Sequence, residues 1–406
     1  MNSGDKSLRR PAADARHWLL DPKIIFLNHG SFGACPRRVL DCQTEWRNQI
    51  ERRPVHFLVR ELETHMDAAR ECLAQFIGAN PDDLAFLPNA TTGINTVLRS
   101  LKFKPGDELL VTNHEYNATR NALNFAAKSS GARMIVARLP FPFRKGDELM
   151  EAVLKRVTSR TRLVLLDHVT SQTGIVLPVQ SLVEELNRRG VDVLVDGAHA
   201  PGMVPLNLSQ LRAAYYTGNC HKWLCAPKGA AFLHVRRDKQ KSIRPLVISH
   251  GANSKRTDRS RFQLEFGWQG TSDPTAALSV PEAIRFTGSL LKGGWPAVME
   301  RNRALALAAR KILCAALQIE EPCPPEFIGS LASVPLPDAA RNALARLPFN
   351  EYPLQDALRE RHKIEVPIIS WPAAPHRVLR ISAQLYNSLL QYERLAKAVV
   401  LELAGA

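Results

Sequence analysis

Cysteine is scarce in this sequence. The seven present (Cys35, Cys42, Cys72, Cys220, Cys225, Cys314 and Cys323) are an odd number spread over 406 residues. They lack the density of a disulfide scaffold, which points to a reducing compartment. Long apolar runs are missing too. Met1 to Asp21 is polar and charged, with no stretch suited to a signal peptide, and no later segment approaches a membrane span. A soluble cytoplasmic protein with no membrane partner is therefore expected. Internal repeats and low-complexity segments are absent. Cys220 and Cys225 with His199 and His221 fit no familiar zinc spacing, so no metal is expected. The short leader before Phe26 leaves no room for an added DNA-binding domain.

Acidic residues are outnumbered, 39 against 54 basic ones, for a formal charge of +15. Anionic ligands, nucleic acid and acidic membranes would all be attracted by such a chain. The basic stretch Arg236 to Arg261 has little apolar periodicity and reads as a long solvated loop around a short strand. Nucleic-acid binding also wants interleaved aromatics, which Phe262 alone hardly supplies. No nucleic-acid partner is expected.

What is present is an alternation of short apolar runs with longer amphipathic stretches. The runs are Leu109 to Thr112, Met134 to Leu139, Leu163 to His168, Val191 to Asp196 and Ala230 to Val235. Strands separated by covering helices give this pattern, which predicts an α/β domain with a mostly parallel sheet. Helical segments follow from Pro281 to Leu317, then a proline-rich joint at Glu321 to Glu326. Beyond it, helices are expected at Asp338 to Leu347 and Leu354 to Arg361, and strands at Ile364 to Ile369 and Val378 to Ser382. The domain reading is an N-terminal segment at 1–30, a large domain at 31–280 and a small C-terminal α/β domain at 281–406. In open α/β sheets ligands gather beyond the carboxyl ends of the strands, so His168, Asp196 and the polar residues after Val111 should share one crevice.

The central chemical signal is Val193-Leu-Val-Asp196-Gly-Ala-His199, followed after a further helix and strand by Gly218-Asn-Cys-His221-Lys222. A pyridoxal-phosphate (PLP) enzyme needs a lysine amine for its Schiff base and a carboxylate to keep the pyridine nitrogen protonated. Lys222 and Asp196 fit these two needs.

With Asn28-His-Gly-Ser-Phe-Gly33, Asn89-Ala-Thr-Thr-Gly93, His114-Glu-Tyr-Asn117, His168-Val-Thr-Ser171, Gly270-Thr-Ser-Asp-Pro274 and Leu379-Arg-Ile-Ser382, the ordered set resembles the class V aminotransferase family of fold-type I PLP enzymes. The resemblance, from Phe26 to about Asn387, is especially to the branch of isopenicillin N epimerase-like proteins and related carbon-sulfur lyases. This implies a large domain with a mostly parallel sheet between helices, plus a smaller C-terminal α/β domain. It implies that Lys222 carries pyridoxal 5'-phosphate, with Asp196 on the ring nitrogen, Tyr116 stacked on the ring and His199 on the phenolic oxygen. Ala90, Thr91, Asn219 and His221 would hold the phosphate, and Ser171 would belong to the same cofactor shell. Thr271 would reach the neighbouring subunit's phosphate, implying a homodimer. Arg380 would grip a substrate α-carboxylate, its fork giving bidentate geometry. Asn28 and His29 would lie on the substrate side, with His29 positioning substrate or moving protons.

Transaldimination from Lys222 to a substrate amine would weaken the bonds at Cα, and the freed lysine is the natural base for the Cα proton. Epimerisation of an amino acid or small peptide is the first reading. Carbon-sulfur lyase (cysteine desulfurase-like) and aminotransferase chemistry are alternatives, as is a non-catalytic PLP-fold binding protein. Persulfide transfer is disfavoured, because a nucleophilic cysteine would be needed in Ile364 to Pro375 and no cysteine follows Cys323.

Overall fold

The computed structural model describes residue 8 and residues 13–339 and 352–405. Twelve strands are present among them: β1 (Ile25–Phe26), β2 (Leu84–Leu87), β3 (Glu108–Thr112), β4 (Arg133–Ala137), β5 (Thr161–Asp167), β6 (Asp192–Asp196), β7 (Tyr215–Asn219), β8 (Ala231–Val235), β9 (Leu331–Leu336), β10 (Ile364–Glu365), β11 (Ile368–Ser370) and β12 (Arg377–Ser382). The large sheet runs β2-β8-β7-β6-β5-β3-β4. Its five strands from β7 to β4 are parallel, and β8 runs against both of its neighbours.

The apolar runs form these strands because both sheet faces are covered. Val164, Leu166, Val193 and Val195 pack into one core, whereas Leu163, Leu165 and Leu194 pack into the other. Successive side chains of a strand point to opposite faces, so strands buried on both faces read as continuous apolar runs. The proline-rich joint and the helices Val280–Ser289 and Gly294–Ala316 lead into a second, three-stranded antiparallel sheet in the order β11-β12-β9. The fold is thus α/β, with a mostly parallel central sheet and a smaller C-terminal α/β part.

Some expectations need correction. The run Ile364 to Ile369 is two strands. β10 pairs with β1, while β11 joins β12. Pro367 between them has no N–H to give a ladder. No strand lies in 236–261; Arg237–Ser242 and His250–Asn253 form 3-10 turns. The stretch is solvated, with its basic side chains paired to neighbouring acids: Lys239 with Asp192, Arg237 with Asp83, Arg256 with Glu63 and Arg259 with Asp67. Most of the helix expected at 338–347 falls outside the described residues.

One close approach couples the N-terminal segment to the sheet. Gly33 follows the turn His29–Phe32 at φ 72°, and a Cβ there would sit 2.0 Å from the His221 carbonyl oxygen and 3.0 Å from the Lys222 Cα. Both neighbours are backbone, so no rotamer change relieves the clash. Gly33→Ala is therefore expected to cost about 2–4 kcal/mol, read by chemical denaturation. Gly106→Ala, at φ 90° with nothing within 4 Å of the new methyl, is the control and should cost only the backbone strain of about 1 kcal/mol.

Candidate active site

Three parallel strands end side by side. Asp167 closes β5, Asp196 closes β6 and Asn219 closes β7, with Asp167 opposite Asp196 and Asp196 opposite Thr217 in the ladder. The crevice beyond them has a volume of about 160 Å³. From the expected set, Ala90, Thr91, Tyr116, Ser171, Asp196, His199, Asn219, His221 and Lys222 line it; Ser31, Phe32 and Asp167 line it as well. Larger hollows of about 430, 450, 800 and 240 Å³ lie elsewhere, and none of them joins a lysine to an acid.

Lys222 Nζ stands 3.1 Å from His199 Nε2, and the Trp223 indole N–H donates to His199 Nδ1 at 3.3 Å. An indole N–H can only donate, so neutral His199 carries its proton on Nε2 and donates it to the Lys222 lone pair. The chain of bonds therefore specifies an uncharged amine. Electrostatics agree: desolvation, then the like charge of Arg380, bring the Lys222 pKa down to about 7 against the pull of Asp196. Desolvation also holds His199 well below its usual range, with Lys222 adding to the effect.

Asp196 is buried. Its Oδ1 accepts from the Ala198 N–H and its Oδ2 from the Thr119 hydroxyl, each at 3.0 Å. Burial raises its pKa, while these two donors and Lys222 oppose the rise.

At the far end, the helix Ala90–Ser100 opens into the crevice behind its cap Asn89, whose Oδ1 accepts from the Thr92 N–H at 2.8 Å. The Ala90 N–H does not face the crevice as a free donor; it is taken by Asn219 Oδ1 at 2.8 Å. This leaves Thr91 and the Asn219 side-chain amide as the anion-facing donors at the helix start. His221 Nδ1 donates to the Ala230 carbonyl at 3.0 Å, and desolvation lowers its pKa to about 4.

Arg380 lies on β12, buried. Nη1 donates to the Ser171 carbonyl at 2.6 Å, and Nη2 donates to Ser31 Oγ at 2.8 Å and Asn28 Oδ1 at 3.3 Å. No carboxylate partners it among the described residues, and its Nε has no acceptor. Burial brings its pKa down to about 10.

Three expected residues lie apart from the crevice wall. Asn28 reaches the site only through Ser31 and Arg380. His29 is fully buried; Nε2 meets the Lys222 carbonyl at 3.0 Å and Nδ1 meets the Tyr386 hydroxyl at 2.8 Å. Both ring nitrogens are engaged and desolvation lowers its pKa to about 3, so this histidine braces the lysine turn and offers no proton to the crevice. Thr271 is exposed, outside its own chain's crevice.

Sequence reasoning passed over Glu115, Asp167, Ser31 and Trp223. Asp167 ends an apolar run and Trp223 follows the lysine, so position along the strand carried a signal for both. Glu115 and Ser31 stood inside quoted motifs with no role of their own.

The aminotransferase class-V family model matches residues 32–395. The chain is 37% identical to isopenicillin N epimerase of Amycolatopsis lactamdurans over 402 residues, covering 95% of this chain and 97% of that protein. It is 31% identical to a probable chloroplastic L-cysteine desulfhydrase of Arabidopsis thaliana, covering 93% and 83%. In structure it is similar to the cysteine desulfurase CsdA of Escherichia coli, with a TM-score of 0.78 at 19% identity over 97% of this chain and 99% of that one; this last likeness shows the fold. With the lysine, the acid and the anion-facing helix start meeting in one crevice, the chain belongs to the aminotransferase class-V family and is a PLP-dependent enzyme.

Proposed function

We propose that this enzyme acts at Cα of an α-amino acid or short peptide and epimerises it. The observation that carries the reading is the buried Arg380 guanidinium, which has no anionic partner near an uncharged Lys222. Burying a cation without a counter-ion is costly unless a ligand supplies the charge, and an α-carboxylate supplies it with matching geometry. The 37% identity to an isopenicillin N epimerase supports the choice of reaction.

The residues present fit PLP. Lys222 offers a free amine to the aldehyde, Asp196 an acceptor for the ring nitrogen proton and Tyr116 a ring at the mouth. Thr91 and the Asn219 amide would hold the phosphate together with His221, and Ser171 and His199 would flank the ring. When bound, the cofactor supplies an electron sink for the bond broken at Cα. Lys222 then takes the Cα proton from one face. Epimerisation needs a donor on the other face, a role we assign to Tyr116; its half-exposed side chain in the crevice lining supports this. The enzyme works as a cytoplasmic homodimer in which Thr271 serves the neighbouring site. Its exposure on a loop outside its own crevice supports this role, and seven unpaired cysteines support the compartment.

A carbon-sulfur lyase is the second reading, favoured by the 31% identity to a cysteine desulfhydrase. Persulfide transfer remains disfavoured. None of the seven cysteines lines the crevice, and the stretch 364–375 presents Trp371, packed on His114 at 4.6 Å and Phe141 at 5.2 Å between ring centroids.

Three outcomes are expected. Cofactor-free protein should capture PLP covalently at a rate that rises with pH through about 7 and then levels off, because only the uncharged amine attacks; Lys222→Ala should show no borohydride-fixable band. Capture that keeps rising toward the ordinary lysine range would contradict the neutral amine. Arg380→Lys, which keeps charge but loses the fork, should raise KM roughly tenfold or more, with PLP capture intact. In deuterated water the enzyme should place deuterium at Cα of both enantiomers of its substrate, and Tyr116→Phe should suppress inversion while sparing same-face exchange. Pyruvate and sulfide from cysteine, without inversion, would select the lyase reading.

A further inference from the structure

Two buried acids stand beside Asp196 without a role in the reaction above. Asp167 is its neighbour in the ladder, 3% exposed and lining the crevice. Glu115 follows β3 and is 2% exposed. The two side chains act directly on one another's protonation. Glu115 Oε1 accepts from the Tyr116 N–H at 3.2 Å, yet Glu115 Oε2 and Asp167 Oδ2 are both buried and meet no donor. Ionised, two such acceptor-only carboxylates interacting in a buried setting repel. One proton placed between the two carboxyls turns that repulsion into a hydrogen bond.

The surroundings say how many charges the cluster holds. The helix Asn117–Ser130 contributes one cation, Arg120, which acts on Asp167, and Thr119, which donates to Asp196. The imidazoles nearby are neutral: desolvation lowers His114 and His168 each to about 4. Tyr216, from β7, keeps its proton and bonds His168 Nδ1 at 2.9 Å. Above its pKa of about 7, Lys222 is uncharged. With the amine deprotonated, three ionised carboxylates would leave two negative charges unbalanced against Arg120 at buried positions. Desolvation pushes both Glu115 and Asp167 well above the carboxylate range; the charge of Asp196 adds to it for each, and that of Asp167 adds to it for Glu115. Asp196, with two donors on its oxygens, is the acid best equipped to stay ionised.

We propose that Glu115 and Asp167 share one proton and act as a positioning pair for Asp196. Their single negative charge is balanced by Arg120, which leaves the charge of Asp196 uncommitted and available to hold the cofactor's ring nitrogen protonated. This deepens the PLP reading and rests on it. A pair without charge would leave Arg120 to compete for Asp196, and the ring nitrogen would lose its proton at lower pH.

The test uses enzyme loaded with PLP carrying 15N in the ring, whose chemical shift reports ring protonation directly, titrated with pH. Glu115→Gln and Asp167→Asn each keep one carboxylate and a hydrogen bond, so each should leave the ring titration near the wild-type position. The double variant removes the pair's charge and should lower the ring nitrogen's titration midpoint by roughly one to two pH units. A generic packing defect would not separate the single variants from the double one. Independently of cofactor, the infrared spectrum of the wild type at neutral pH should hold a carbonyl band of a buried carboxylic acid that each single variant loses. Absence of that band overturns the shared proton. A protonated ring nitrogen that the double variant leaves unmoved overturns the positioning role alone, and a wild type that captures no PLP overturns the functional reading and this role together.

Discussion

An amine that must be uncharged to react, and dry to be shielded from water, cannot be had by burial alone, because the groups that serve it are themselves charged. Desolvation drives Lys222 toward its neutral form while Asp196 pulls it back. The structure resolves this with directional bonds. Trp223 donates to His199, which fixes the imidazole tautomer and turns an N–H toward the amine. His29 braces the carbonyl of the same lysine from behind, held by Tyr386. Remove the direction of these bonds and the lysine would sit between an acid and solvent as an ordinary ammonium.

The sheet exists to bring such groups together at one end. Parallel strands end at one edge, and their register stacks Asp167, Asp196 and Thr217 in a row. Helix starts face the same edge, so an anion-binding helix N-terminus and the acids come from one arrangement of βα units. The second sheet then closes the site from across the crevice, since Arg380 on β12 reaches Ser31 and Ser171. Gly33 marks how tightly these parts are fitted: the chain passes so near the His221 carbonyl that only a glycine fits.

How far the sequence could be read follows from the kind of signal each residue left. The strands β3, β5, β6 and β8 announced themselves because a strand buried on both faces is apolar throughout. β7, Tyr215–Asn219, is as buried as these but carries polar and glycine residues, since it presents the helix contact and the cofactor end of the site. β9, Leu331–Leu336, is interrupted by Ser333 and Pro335 and left no comparable run. Lys222, Asp196 and Arg380 were legible because their residue types have few other reasons to follow such strands. For His29 and Ala90 the fold adds what a motif does not carry: a motif says which residues are near, but the direction of a hydrogen bond says which of them still has a proton to give, and direction is a property of the folded chain.

That distinction bears most on the acids. Three carboxyls within one end of a sheet look, in sequence, like three strand-end or turn residues, and two of them belong to motifs with other prominent members. Only burial makes them a group, because only in a low dielectric do their charges exclude one another. Once they do, protonation becomes a collective property: the proton that Glu115 and Asp167 hold determines what Asp196 is free to do. A site of this kind is tuned less by the residue that touches the cofactor than by how many charges its neighbours are permitted to keep, and related chains that share the lysine and the aspartate can differ in reactivity through positions that never contact a substrate.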